Sequence, residues 1–297
     1  MNSYTGSRSE FINVRGLNYH VRRWGNPEAP TVVLLHGWMD ISATFQFLVD
    51  AFQHDWNLIA PDWAGYGLSE HCRHGYSFMQ YCADLDALLD HYSPKAPVYL
   101  IAHSMGGNIS GLYAGARPER IAKWVNMEGY APIPGWAGDL GPFFARWLDV
   151  QRAPPSQLVY ANKAEFAARL KRSNRRLTDV QASFLADEFC RELPDGQAEA
   201  RVDPRARTSV AIPPHKEQIK AFWSNITADS LCITGTRSFI PPLFEGLEHE
   251  LSERIGSLRY GREVQLKGAS HNMHHDMPVE LAGLIEPFLL APPSART

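Results

Sequence analysis

Ser104 lies in the string Ala102-His103-Ser104-Met105-Gly106-Gly107. The apolar run Val98-Tyr99-Leu100-Ile101 precedes it, and Ile109, Leu112 and Tyr113 follow at helical spacing. A serine between a buried strand and a helix, with a small residue two places before it and another two places after, is the pattern of a nucleophile elbow. The turn is too tight for side-chain bulk at those two places, filled here by Ala102 and Gly106. It lifts the hydroxyl clear of the sheet and sets the Met105 N–H, at a helix start, toward the place where an oxyanion would form. A serine hydroxyl is a poor nucleophile at neutral pH, so the chemistry also needs a base, and the base needs an orienting acid. The plain alternative is a serine in an ordinary strand-to-helix turn, which needs neither partner.

The elements that would position such a group read as an α/β fold. Phe11–Val14 and Leu17–Trp24 open the chain as two β-like pieces joined at Arg15-Gly16. Thr31–Leu35 and Asn57–Ala60 are continuous apolar runs, as expected of strands buried on both faces. Between them Phe45, Leu48, Val49 and Phe52 recur at helical spacing, and Phe78, Tyr81, Cys82, Leu85, Leu88 and Leu89 form the next stripe. Ile121–Met127 is a further strand. The alternation predicts a mostly parallel central sheet with helices on both faces and its active site at the carboxyl ends of the strands. His36-Gly37-Trp38, the loop at Asp62, Ser104 and Glu128 all fall at those ends.

From Ala131 the texture changes, with Pro132, Pro134, Gly135, Gly138, Gly141 and Pro142 breaking regular structure. Charged helical stretches at Glu165–Arg172 and Thr178–Glu192 come next, then an irregular stretch, Pro194–Pro214. Residues 131–214 therefore read as an inserted helical cap, and 1–130 with 215–297 as the core. Strands resume at Leu231–Thr234 and Val264–Leu266, and Val279–Leu290 is a closing helix.

A net charge of −3 argues against a nucleic-acid or anionic-membrane partner. The four cysteines are scattered and form no C-x-x-C pair, so no zinc knuckle or redox pair is expected. The polar start, Met1–Glu10, has no apolar core of a secretory signal, and no apolar run approaches the ~20 residues of a membrane span. The expectation is a cytoplasmic protein with a small-molecule substrate, no cofactor and no metal; a homodimer is compatible with it.

His36-Gly37-Trp38, Asp62-x-x-Gly65-x-Gly67-x-Ser69, the Ser104 elbow and Gly268-Ala269-Ser270-His271 stand in the order of the α/β-hydrolase superfamily. The chain resembles that superfamily over nearly its whole length. The resemblance implies the order serine, acid, histidine, with the base after the last strand. His271 is the residue there; His274 and His275 are nearby rivals that suit a histidine-rich helix start. The commonest acid position, in a Gly-x-x-Asp string after the strand Leu231–Thr234, reads Gly235-Thr236-Arg237-Ser238. A serine cannot be the buried anion that holds an imidazolium. Glu128, at the end of Ile121–Met127, is the candidate in its place, since a glutamate ending an apolar strand needs a partner. Its alternative is to cap a cap-domain helix or meet an arginine, while Asp229 lies at the wrong end of the sheet. Met127-Glu128 followed by Ala131-Pro132-Ile133-Pro134 is similar to the haloalkane-dehalogenase branch, which places its acid after the sixth strand. That branch needs an aspartate nucleophile followed by tryptophan, so Ser104-Met105 does not imply dehalogenation, or epoxide hydrolysis. The overall pattern is similar to bacterial serine-hydrolase-like proteins.

The resemblance also implies an oxyanion hole from the N–H groups of Trp38 and Met105. It gives His36 a structural role and Asp62 a turn-stabilising one. Trp63, Tyr130, Trp136 and Phe144 are candidates for an apolar substrate pocket, with ordinary cap–core packing as the alternative. The function expected is a serine hydrolase acting on a carboxylic ester or related acyl substrate. The alternatives are a cofactor-independent aromatic-ring dioxygenase of the same fold and a non-catalytic ligand-binding homologue.

Overall fold

The computed structural model describes residues 4–134, 140–207 and 215–295. The chain opens with β1 (Arg8–Val14), β2 (Leu17–Gly25), β3 (Thr31–Leu35), β4 (Asn57–Pro61), β5 (Val98–His103) and β6 (Ile121–Met127). An insertion adds three short strands, β7 (Val159–Tyr160), β8 (Cys190–Glu192) and β9 (Ala198–Ala200); β10 (Asp229–Gly235) and β11 (Gly261–Leu266) close the set. The main sheet has eight strands in the order β1-β2-β4-β3-β5-β6-β10-β11. β1 and β2 are antiparallel to each other, and β2 to β4; the other pairs are parallel.

The helices are α1 (Gln46–Ala51), α2 (Phe78–Tyr92), α3 (Met105–Ala116), α4 (Leu140–Arg152), α5 (Lys163–Ser173), α6 (Asp179–Phe189), α7 (Lys216–Ser224), α8 (Glu248–Gly256), α9 (Met273–Asp276) and α10 (Pro278–Leu290). Successive side chains of a strand point to opposite faces, and the core divides accordingly. Val33, Leu35, Leu100 and Ala102 pack with Leu85 and Leu88 of α2, Ile109 and Leu112 of α3 and Trp223 of α7. Val32, Leu34 and Ile101 pack on the other face with Leu48 of α1 and Leu281, Ile285 and Phe288 of α10. This two-sided burial is why the central strands are continuous apolar runs.

The insertion is less purely helical than its sequence pattern suggests. The stretch Thr178–Glu192 is helical only to Phe189; Cys190–Glu192 then turns into β8. The stretch read as irregular contains β9, which pairs with both β7 and β8. These strands are two or three residues long, too short to show an alternating pattern. The returning leg of the insertion is joined to the Asp62 loop: Gly67 N donates to Arg201 O and Asp203 N to Gly65 O, each at 2.8 Å. Trp38 Nε1 and Tyr66 Oη both donate to Ala206 O, at 2.8 and 3.1 Å, and Tyr76 Oη donates to Asp203 Oδ2 at 2.8 Å. Among the described residues no helix is long and apolar enough to cross a membrane.

Candidate active site

Ser104 is the single residue between β5 and α3, with φ 50° and ψ −113°. That strained conformation is what an elbow requires, and its neighbours make it possible. A Cβ on Gly106 would lie 2.3 Å from Leu35 O, so only glycine lets α3 approach β3 this closely. Ser104 N donates to Met127 O at 2.8 Å, which ties the elbow to the end of β6.

The next residue after β6, Glu128, also has a positive φ of 57°. Asn126 holds that turn from within: its Oδ1 accepts from Gly129 N at 2.8 Å and its Nδ2 donates to Gly129 O at 3.1 Å. The turn sends the Glu128 side chain along the carboxyl edge of the sheet, fully buried. Its carboxylate accepts three hydrogen bonds there: from Gly235 N at 2.7 Å, Ser238 Oγ at 2.6 Å and His271 Nδ1 at 2.6 Å. These donors offset the cost of removing the carboxylate from water. Ser238 occupies the last place of Gly235-Thr236-Arg237-Ser238, where the sequence lacks an acid, and its hydroxyl donates to the Glu128 carboxylate.

His271, in the loop between β11 and α9, reaches Ser104 Oγ through Nε2 at 3.0 Å. With Nδ1–H given to Glu128, Nε2 carries the lone pair that accepts from the serine. Serine, imidazole and carboxylate thus come from three distant stretches into one line. His274 and His275 do not reach that line. His275 is buried, and burial with the adjacent His274 pushes its pKa down to about 3.

The Gly37 turn runs against Ser104, since a Cβ built on Gly37 would lie 3.2 Å from Ser104 Cβ. His36 fixes this turn: Nδ1–H donates to Gly37 O at 2.8 Å and Nε2 accepts from Trp63 N at 2.9 Å. Burial holds His36 below the usual imidazole range in spite of Asp40 and Asp62. Burial alone would raise the Asp62 carboxyl, but the His20 hydrogen bond and charge, with the His36 charge and the Leu68 N–H, bring it to about 2. Asp62 also accepts from Ser42 N at 2.7 Å.

A cavity of about 630 Å³ opens onto Ser104 and His271. Trp38, Tyr66, Tyr130 and Phe239 line it from the core, and Leu170 and Phe189 from the insertion. Of the sequence-derived pocket candidates, Tyr130 lies on its wall. Trp63 does not: it is wholly buried in the core, where its indole N–H donates to His36 O at 3.1 Å. Its place in the Asp62 loop suggested a pocket, but the side chain turns inward to hold the turn. Phe144 is also off the wall, 40% exposed on α4 and stacked on Trp147. Trp136 lies outside the described residues. Sequence reasoning missed Asn126 and the buried Asp40 and His103; no spacing pattern marks residues that meet only in the folded chain.

Residues 30–229 match the family model of the alpha/beta hydrolase fold. The chain belongs to the α/β-hydrolase family. This α/β-hydrolase is 31% identical over 186 residues to a serine hydrolase-like protein of Danio rerio, covering 58% of this chain and 55% of that protein. It is 27% identical over 282 residues to a probable serine hydrolase of Drosophila melanogaster, covering 90% of this chain and 82% of that protein. The match thus spans about half the length of the Danio rerio relative, and most of the Drosophila one. The fold is similar to that of a thioesterase domain from a curacin biosynthetic pathway, with TM-score 0.82 and 23% identity over 94% of this chain and 99% of that one.

Proposed function

We propose that this α/β-hydrolase is a serine hydrolase that cleaves a carboxylic ester or related acyl substrate through Ser104, His271 and Glu128. The reading rests on one observation, the unbroken hydrogen-bond line from Ser104 Oγ through the His271 ring to Glu128 Oε2, at 3.0 and 2.6 Å. His271 Nε2 takes the serine proton as Oγ attacks the substrate carbonyl. The N–H groups of Met105 and Trp38 hold the resulting oxyanion. Glu128 keeps the imidazole in the required tautomer and balances the imidazolium. The tetrahedral species collapses, the C–O bond to the leaving group breaks, and His271 returns the proton to the departing alcohol. Water then attacks the acyl-enzyme by the same route, releasing the carboxylic acid and free Ser104. A cavity of about 630 Å³ with largely apolar walls favours an uncharged, apolar group on the acyl or alcohol side.

The test combines a chain-length panel of p-nitrophenyl esters with fluorophosphonate labelling. Wild type is expected to turn over at least one ester and to take up one label at Ser104. Ser104→Ala is expected to lose both, with a fall in kcat of about 10³-fold or more. Unlabelled folded protein with no ester turnover would point to a ligand binder. Turnover of an aromatic substrate with oxygen that survives Ser104→Ala would point to the dioxygenase chemistry.

A further inference from the structure

Behind the triad, α9 packs against the loop after β3 and the end of β5. Asp40, His103 and His274 meet there, all buried, with relative exposures of 6%, 2% and 0%. One ligand-capable atom from each lies within 4.8 Å of the other two. Asp40 Oδ2 is 3.8 Å from His103 Nδ1 and 3.6 Å from His274 Nε2. Those separations are too long for hydrogen bonds, and none of these three atoms has a hydrogen-bond partner among the described residues.

The tautomer of His103 sharpens the problem. Its Nε2 lies 2.9 Å from the His271 carbonyl oxygen, an acceptor, so the proton is on Nε2 and Nδ1 is a bare lone pair. A lone pair, a carboxylate oxygen and a second imidazole nitrogen therefore face one small buried space.

We propose that Asp40, His103 and His274 form a binding site for a divalent transition-metal ion of the zinc class. Two imidazoles and one carboxylate suit zinc or cobalt rather than magnesium or calcium, which prefer all-oxygen shells. Ligand atoms around a tetrahedral zinc stand about 3.3 Å apart, given bonds of about 2.0 Å. From separations between 3.6 Å and at most 4.8 Å, the three atoms need to draw together by up to about 1.5 Å to reach that spacing. Two of the three ligands already have the outer contacts of a metal site, while His274 Nδ1 has no hydrogen-bond partner among the described residues. His103 gives its other ring N–H to a backbone carbonyl, and Asp40 Oδ1 accepts from Ile41 N at 2.9 Å. Asp40 and His103 also line the active-site cavity, which leaves a fourth position to water. Because His103 holds the His271 carbonyl, a bound ion would brace the loop that carries the catalytic base. This assignment stands apart from the acyl-transfer reading, and none of its readouts needs turnover.

The experiment uses tag-free full-length protein, stripped with a chelator, loaded with Zn²⁺ or Co²⁺ and passed through gel filtration. Elemental analysis is expected to find one equivalent retained, and the melting temperature to rise with metal concentration. Co²⁺ is expected to give the intense visible bands of a four- or five-coordinate site. Asp40→Asn and His274→Gln are each expected to weaken binding at least tenfold. No retained metal and an unchanged melting temperature in wild type would overturn the proposal, as would wild-type binding in folded His274→Gln. If neither variant folds, the cobalt spectrum of wild type decides: a spectrum of hydrated Co²⁺ alone would overturn it.

Discussion

Ser238 Oγ and His271 Nδ1 both donate to the same carboxylate oxygen, Glu128 Oε2, each at 2.6 Å. Glu128→Gln keeps the size of the side chain and removes its charge. It is expected to lower kcat about 10²- to 10⁴-fold, read on the ester found in the substrate panel. Ser238→Ala removes one donor from the carboxylate and is expected to cost about tenfold in kcat with KM little changed. Ser238→Asp by itself would set two carboxylates against each other, so that one of them takes up a proton; activity at neutral pH is expected to fall. In the Glu128→Gln background the same Ser238→Asp change is expected to raise activity. A cycle of kcat/KM values in which Ser238→Asp has the same sign in both backgrounds would contradict this account. At this scale Ser104, His271 and Glu128 were legible as candidates, because the elbow string, the loop before the closing helix and the missing Gly-x-x-Asp acid each leave a mark in the sequence. Ser238 was legible only as a gap. Asp40 and His103 left no mark, since a histidine ending an apolar strand has the same local pattern whether or not it meets an aspartate across the fold.

The turn after β6 shows how an element serves the chemistry. Asn126, wholly buried, spans that turn with both ends of its amide and so fixes the direction of Glu128. Asn126→Ala leaves the Gly129 N–H and C=O without that partner. It is expected to destabilise the protein by about 1–3 kcal/mol in urea unfolding and to lower kcat as the carboxylate loses its aim. Unchanged stability together with unchanged turnover would mean that the turn is held by the backbone alone. The strands on either side were readable from sequence because burial on both faces makes them unbroken apolar runs. The sheet of the insertion was not, because β7, β8 and β9 take their stability from one another and from tertiary packing. Trp63 misled for a related reason: sequence order brought it to the active-site rim, and side-chain direction took it inward to His36.

For the molecule as a whole, acid sensitivity follows from groups buried in one protonation state. Burial lowers the His36 imidazole from its ordinary value of 6.5. The unfolded chain takes up that proton near pH 6.5 and the folded chain only at lower pH, so this contribution is complete above about pH 6.5 and lost as pH falls below it. Asp62, at about 2 when folded against 3.8 ordinarily, works in a lower window. Its contribution is complete above about pH 5 and lost as pH falls through about 2. Urea midpoints are therefore expected to decline from pH 7 to pH 5, and His36→Gln to flatten that decline by up to one proton's worth of slope. A wild-type midpoint constant across pH 5–7 would refute the assignment. Both groups belong to the turns on which the returning leg of the insertion is fastened, through Gly65, Gly67, Tyr66, Trp38 and Tyr76. The Leu177 wall of the chamber is fastened differently, by apolar burial: Leu177 and Leu185 pack with Phe47 of the core. Backbone hydrogen bonds at one place and grease at another mean that acid and denaturant would loosen the chamber's sides by separate routes.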